Sequence, residues 1–382
     1  MNRSQKNTLC GSKDTTNNVG WAERRRTRSA RRFRHRRVDT LISKPLVCIS
    51  MGDPAGIGPE ITVKALQQDS VYDIARPVVV GSSGILRHYI DLLSTGQHLR
   101  QVHAPFVQDS RPGVIDVVET GSVTPELITI GRISASAGRA AFSYIEAAIR
   151  LALQGCVHAV VTAPINKESL ILGGSHFVDH TTMLENATGS SAVTMFLVDT
   201  LRVFFLTRHV SLQDSINLLS ADLVAEGIST AVQNLRRLGL PEPKIAVAAL
   251  NPHASDGGMF GTEEQHLISP GVQQARNCGF CAVGPVPADA VFSLALRGKY
   301  DAVLSLYHDQ GHIAAKTYDF ERTVSVTLGL PFLRTSVDHG TALDIAGQGN
   351  ASAVSMIEAI KTAARYAHAY ASGNAQLETG TS

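Results

Sequence analysis

The chain has 382 residues, 44% of them hydrophobic and 18% charged, with a formal net charge of +2; this is an ordinary globular composition with length for two or three cores. No apolar run approaches the ~18 to 20 residues of a membrane-spanning helix, so the sequence reads as that of a soluble protein. Residues 1–43 hold twelve Lys/Arg against Asp14, Glu23 and Asp39, which leaves 23 basic and 30 acidic residues elsewhere, and a mildly acidic body makes nucleic acid an unexpected partner.

Taken in chain order, residues 1–44 form an extension rich in Asn, Ser and Thr and then in arginine, from Arg24 to Arg37. With little to bury and like charges repelling, it is expected to be disordered. A nucleic-acid arm or an organelle transit peptide would fit its charge; a dispensable extension fits better, and it lacks the apolar core of a secretory signal. The five cysteines, Cys10, Cys48, Cys156, Cys278 and Cys281, are odd in number and irregularly spaced. That argues against a disulfide framework and for a reducing, cytoplasmic location.

Ordered structure is expected from Pro45, with a strand over residues 46–50 and a turn-rich segment over 51–60. A helix follows with Pro59 in its first turn. Residues 77–80 read as a strand, 138–153 as an amphipathic helix and 159–161 as another strand. Strands are also expected at 202–207, 244–250, 301–307 and 324–328, and a last helix around Met356 to Ala364. Strands alternating with helices indicate an α/β fold with largely parallel pairing.

Three of these strands lead to a histidine: residues 202–207 to His209, 244–250 to His253, and 301–307 to His308. Ligands bind outside the carboxyl ends of strands in open α/β sheets. Three imidazoles delivered to one such edge suit a divalent metal with an open position, although any one of them could equally cap a strand. Asp256 and Asp309 are placed to orient their neighbouring histidines as hydrogen-bond acceptors. Lys316 and Arg334 are candidates for an anionic substrate. His180, Thr181 and Thr182 could bind substrate oxygens, or a threonine could simply cap a helix. The dinucleotide fingerprint, the Gly-Lys-Ser/Thr phosphate loop and the Gly-x-Ser-x-Gly elbow are all absent.

The segments M-G-D-P-A-G-I-G-P-E (51–60), T-A-P-I-N-K (162–167), N-P-H-A-S-D-G-G (251–258), Y-H-D-Q-G-H (307–312) and L-G-L-P-F-L-R-T-S-V-D-H-G-T-A-L-D-I-A-G (328–347) occur in this order. Together they resemble the 4-hydroxythreonine-4-phosphate dehydrogenase family of vitamin B6 synthesis, over residues 45 to 370. The resemblance implies a fold like isocitrate and isopropylmalate dehydrogenases: two α/β domains, an interdomain cleft and a homodimer. Residues 45–155 with 330–372 would form the first domain. Residues 156–329 would form the second, with metal ligands and dimer contacts, and 373–382 would fray.

Carried over, the family's metal ligands fall on His209, His253 and His308, the first two from one subunit and the third from the other. Its substrate contacts fall on His180, Thr181, Lys316 and Arg334, with Ser325 standing where the family has Asn and Thr182 where it usually has Glu. Residues His339, Gly340, Thr341 and Asp344 resemble an NAD-binding loop. The implied reaction is NAD-dependent oxidation of a phosphorylated 3-hydroxy acid followed by decarboxylation, with Zn²⁺, or Mg²⁺, Mn²⁺ or Co²⁺, as the metal and Lys316 or Asp256 as the base. T-A-P-I-N-K and H-D-Q-G-H-I look more like the branch acting on 4-phospho-D-threonate or 4-phospho-D-erythronate than like the biosynthetic branch acting on 4-phosphohydroxy-L-threonine. A branch oxidising the cis-dihydrodiol of terephthalate ranks third. The rival from another class is a metal-dependent hydrolase or lyase without NAD.

Overall fold

The computed structural model describes residues 44–103, 110–121 and 123–379. The basic extension read from the sequence lies outside these residues, apart from Lys44. Strands β1 to β6 are Leu46–Ser50, Arg76–Gly81, His98–Gln101, Val114–Glu119, Ala159–Thr162 and Val193–Val198. Strands β7 to β12 are Leu201–Phe205, Ile245–Ala248, Ala282–Val286, Ala302–Ser305, Val324–Leu328 and Leu333–Val337. All twelve join one sheet in the order β3-β4-β2-β1-β5-β12-β11-β6-β7-β10-β8-β9.

Two parallel blocks meet in this sheet. β3, β4, β2, β1, β5 and β12 run one way, and β7, β10, β8 and β9 are parallel to one another. Between them the pairings β12–β11, β11–β6 and β6–β7 are antiparallel. Three reversals make the blocks point in opposite directions, so their carboxyl ends lie at opposite edges. The first block draws on residues 46–162 and 333–337, and the strands from β6 to β11 on residues 193–328.

β1, β5, β8 and β10 are buried at every position, as apolar strands covered by helices on both faces must be. The helix Ala135–Leu153 begins where the Ser134 hydroxyl accepts the Ala137 N–H at 3.2 Å, and its alanine-rich stripe sits against the sheet. The last helix, Val354–Thr379, is longer than its apolar stripe suggests and passes residue 372, where the composition turns small and polar.

His158, just before β5, accepts the Leu46 N–H on Nδ1 at 3.0 Å. Burial, the main cause, pushes its pKa down to about 4. A histidine held neutral in the fold but protonated near pH 6.5 when unfolded stabilises fully above ~6.5 and progressively less as pH falls toward ~4. Denaturant unfolding at pH 7 and pH 4.5 should therefore show a loss of stability that His158→Gln reduces.

Candidate functional site

β7, β10 and β8 are adjacent and parallel, so the chain carries His209, His308 and His253 out at one edge of the sheet. His209 and His308 come together, with ring centres 6.2 Å apart. An imidazole bound at ~2.0 to 2.1 Å puts its ring centre about 3.2 Å from an ion, so two rings on one tetrahedral ion lie roughly 5 Å apart. The observed pair stands about 1 Å wider than that. Both line a cleft of about 290 Å³, with Arg208, Val210, Tyr307 and Asp309. A larger cleft of about 360 Å³ beside Asp199, Arg322 and Arg365 holds none of the residues singled out by the sequence.

The His308 ring is fixed from two sides. Its Nδ1 meets Asp309 Oδ1 at 2.6 Å, the orienting role expected of that aspartate, which leaves Nε2 for an outside partner. His312, one helical turn on, stacks on it with ring centres 3.5 Å apart and planes 14° apart. The Nδ1 of His312 lies 2.8 Å from the His308 carbonyl oxygen, and its other neighbours are Phe196 and Phe205. Burial, first among several causes, pushes the His312 pKa down to about 4, so it backs the ligand as a neutral ring. The helix His308–Tyr318 can come this close to the sheet because of Gly311, where a Cβ would stand 2.5 Å from the Phe205 ring. Burial, then the nearby Arg208, His308 and Lys167, lower the His209 pKa and keep a lone pair free for a metal.

His253 is placed differently. It opens a run of five residues with φ between 44° and 70°, from His253 to Gly257, a left-handed turn that costs L-residues roughly 1–2 kcal/mol each. Glu264 anchors the preceding segment: its buried carboxylate accepts the Leu250 and Asn251 N–H groups at 2.9 and 2.6 Å and the Asn251 side-chain amide at 2.9 Å. His253 is exposed, and its ring neighbour is Phe260 at 6.4 Å. Asp256 is exposed on the same turn, and no contact between it and the His253 ring is found among the described residues. No group of three or more His, Cys, Asp or Glu among the described residues is positioned to hold a metal within one chain. Within one chain His209 stands beside His308, and among the described residues neither has a ring contact with His253, which the resemblance pairs with His209.

The anion candidates lie along the sheet face. Arg334 on β12 is only 5% exposed. Its guanidinium donates to Thr162 Oγ1 at 3.1 and 2.6 Å and to Thr327 Oγ1 at 3.0 Å, and burial lowers its pKa to about 10. It makes no ion pair closer than 4 Å with a carboxylate of the described residues. His180 stands near it. Burial first, and then the Arg334 charge, hold the His180 imidazole neutral, and its buried Nε2 has no partner. The helix His180–Thr188 is capped by Asp179, which accepts the Thr182 N–H at 2.9 Å, so capping does not account for Thr181. Lys316 pairs with Asp338 at 2.6 Å, and burial raises the Asp338 pKa against the lowering effect of that lysine. Ser325 sits half-buried on β11, opposite Phe196 and Ser336.

The segment from His339 to Asp344 follows β12 at the other edge of the sheet. The Thr341 carbonyl accepts the Ile57 N–H at 3.0 Å, and a Cβ on Gly56 would lie 2.9 Å from Thr341. This packs the loop against the turn-rich segment 51–58. Gly340 has open space around it, His339 and Asp344 are partly or fully exposed, and Thr341 is buried.

Sequence reasoning missed Arg208, Asp179, Asp338 and His312. Arg208 adjoins a candidate ligand, and Asp338 and His312 lie inside the quoted motifs, so proximity was the available signal. The hydroxyls of Thr162 and Thr327 gave none, because their role depends on strand register.

Comparison with known proteins places the chain in a family. The sequence profile of the family described as pyridoxal phosphate biosynthetic protein PdxA matches residues 73–363. A protein of Symbiobacterium thermophilum, provisionally named a D-threonate 4-phosphate dehydrogenase, is 50% identical over 86% of this chain and 98% of its own length. The crystal structure of 4-hydroxythreonine-4-phosphate dehydrogenase from Klebsiella pneumoniae is 40% identical, with a TM-score of 0.79 over 85% of this chain and all of that one. A terephthalate 1,2-cis-dihydrodiol dehydrogenase from Burkholderia xenovorans is more distant, at 29% identity and a TM-score of 0.58 over 85% of this chain and 98% of that one. By the extent of these matches, the chain belongs to the PdxA family.

Proposed function

We propose that this protein is an NAD- and divalent-metal-dependent dehydrogenase that oxidises the secondary hydroxyl of a phosphorylated 3-hydroxy acid, with loss of the carboxyl group as carbon dioxide. The observation that carries the reading is Arg334: a buried guanidinium held by two threonine hydroxyls, acted on by Asp179 and Asp338 but in no ion pair with a carboxylate of the described residues, beside an imidazole whose buried Nε2 lacks a partner. Such a cation is costly to bury unless an anion completes it. A substrate phosphate would do so, with His180 and Thr181 completing its contacts.

His209 and His308 would hold the metal, with His253 contributed by a second copy of the chain. A bound divalent cation would lower the pKa of the substrate hydroxyl and draw electrons from the carbonyl formed by oxidation; three imidazoles favour Zn²⁺, with Mg²⁺, Mn²⁺ or Co²⁺ as alternatives. Lys316, on the helix that starts at His308, is the better placed base. It would first pass a proton to Asp338, its partner at 2.6 Å, and then accept the one from the hydroxyl, whereas Asp256 is exposed on a separate turn. His339, Gly340, Thr341 and Asp344 would hold NAD, which would take the hydride. The division into a first domain (45–155 with 330–372) and a second (156–329), with the site in a cleft between them and shared across a homodimer, belongs to the same proposal. No helix among the described residues is long and apolar enough to cross a membrane, and a cytoplasmic location is part of the proposal.

Among substrates, 4-phospho-D-threonate and 4-phospho-D-erythronate come first, because the relatives at 50% identity carry the D-threonate name and Ser325 shortens a family contact. 4-Phosphohydroxy-L-threonine comes second and the cis-dihydrodiol dicarboxylate third. The test is NADH formation from each acid and from its dephosphorylated form, with metal supplied. A phosphorylated acid should exceed its dephosphorylated form by on the order of 10²-fold in kcat/KM, as expected when a buried charge loses its partner. Metal-dependent turnover of these acids without NADH would favour the hydrolase or lyase reading instead.

A further inference from the structure

We propose that Arg208 is a second anion-binding guanidinium, which grips the substrate phosphate together with Arg334. This rests on the functional reading above and adds a residue to it. Arg208 leaves the end of β7 immediately before His209 and lines the same cleft as the two imidazoles. It is half-buried, and its Nη1 donates to Thr194 Oγ1 on β6.

Strand register then ties the two arginines together. Thr194 lies directly opposite Thr327 on β11, and Thr327 lies directly opposite Arg334 on β12. Residues opposite each other in neighbouring strands share a face of the sheet. The two guanidinium groups are therefore anchored to neighbouring hydroxyls on one face, with anchors about 5 Å apart, the spacing of adjacent strands. Two forks held that close can both donate to one tetrahedral anion. Asp179 is a common acidic neighbour, its charge acting on both, yet neither arginine forms an ion pair with a carboxylate among the described residues. Glu185 also acts on Arg208 and Asp338 on Arg334, and a doubly charged phosphate between the two forks would be the partner that pairs with both. Arg208 also offers the reach that Ser325, on the same face two residues before Thr327, lacks.

The alternative partner for Arg208 is the carboxylate end of the substrate, nearer the imidazoles, and binding measurements separate the two. The probes are inorganic phosphate and non-phosphorylated D-threonate, titrated calorimetrically into wild type, Arg208→Gln, Arg208→Lys and Arg334→Lys, each first checked for native circular dichroism. Loss of one charged fork should weaken phosphate binding by Arg208→Gln by about tenfold or more. Arg208→Lys, which keeps the charge without the fork, should fall between it and wild type, and D-threonate affinity should stay within about twofold of wild type. Should Arg208→Gln fail to fold, the intermediate loss in Arg208→Lys still decides the matter. Unchanged phosphate affinity in both Arg208 variants, with a loss in Arg334→Lys, would defeat this proposal and leave the anion site at Arg334 intact. Weakened D-threonate with unchanged phosphate would also defeat it, by assigning Arg208 to the carboxylate. Unchanged phosphate affinity in all three variants would instead remove the anion-site reading on which it stands.

Discussion

Arg334→Met is expected to lower kcat/KM for the phosphorylated acid by roughly 10²-fold, the scale of leaving a buried charge without its partner, while turnover of the dephosphorylated acid changes little. The guanidinium is buried among Thr162, Thr327 and the orphaned Nε2 of His180, so no solvent cation can take its place. Arg334→Lys should lose less, because it keeps the charge but not the planar fork. Stability should move the other way. With no carboxylate pairing it, Arg334 is buried at a cost, so a well-packed methionine should leave the melting temperature unchanged or raise it. Steady-state kinetics with both substrate forms, beside thermal unfolding of the same variants, checks both halves. A fall in activity that simply follows a fall in stability would speak for a structural arginine.

His308→Ala is expected to weaken binding of the divalent metal by more than the 10- to 100-fold typical of losing even an outer hydrogen-bond partner of a ligand, and to abolish metal-stimulated oxidation. His312→Ala should show a smaller loss, because it removes the ring stacked on His308 at 3.5 Å but no ligand. Equilibrium metal titration of each variant measures the effect independently of turnover. Wild-type metal affinity in His308→Ala would exclude this residue from the metal centre.

Most of the fold was legible where burial is uniform. β1, β8 and β10 are continuous apolar runs, and their carboxyl ends carry the residues that chemistry would use. β12 was not legible, because Leu-Arg-Thr-Ser-Val mixes polar residues into a strand that is nevertheless buried throughout. Its arginine is held by the Thr162 and Thr327 hydroxyls on one face, and its Thr335 hydroxyl donates to the Ala359 carbonyl at 2.8 Å on the other, so neither meets solvent. β3 is short and polar at the sheet edge. The reversal of direction between the two blocks depends on pairings between segments far apart in sequence, which local periodicity does not encode. The row of hydroxyls linking Arg208 to Arg334 was hidden for the same reason. The left-handed turn at His253 had one local signal, Gly257-Gly258, which marks a turn but not four preceding L-residues in a strained conformation.

If one cation is held by His209 and His308 of one chain and His253 of another, mixed dimers will reveal it. Neither His209→Ala nor His253→Ala should form NADH alone. Mixed after reversible dissociation, they rebuild one intact site in each hybrid dimer, and about a quarter of wild-type activity should return if subunits pair at random in a twofold dimer. Mixing His209→Ala with His308→Ala should restore nothing, since every site then lacks a ligand. Recovery from that second mixture, with none from the first, would contradict the assignment and pair His209 with His253 instead.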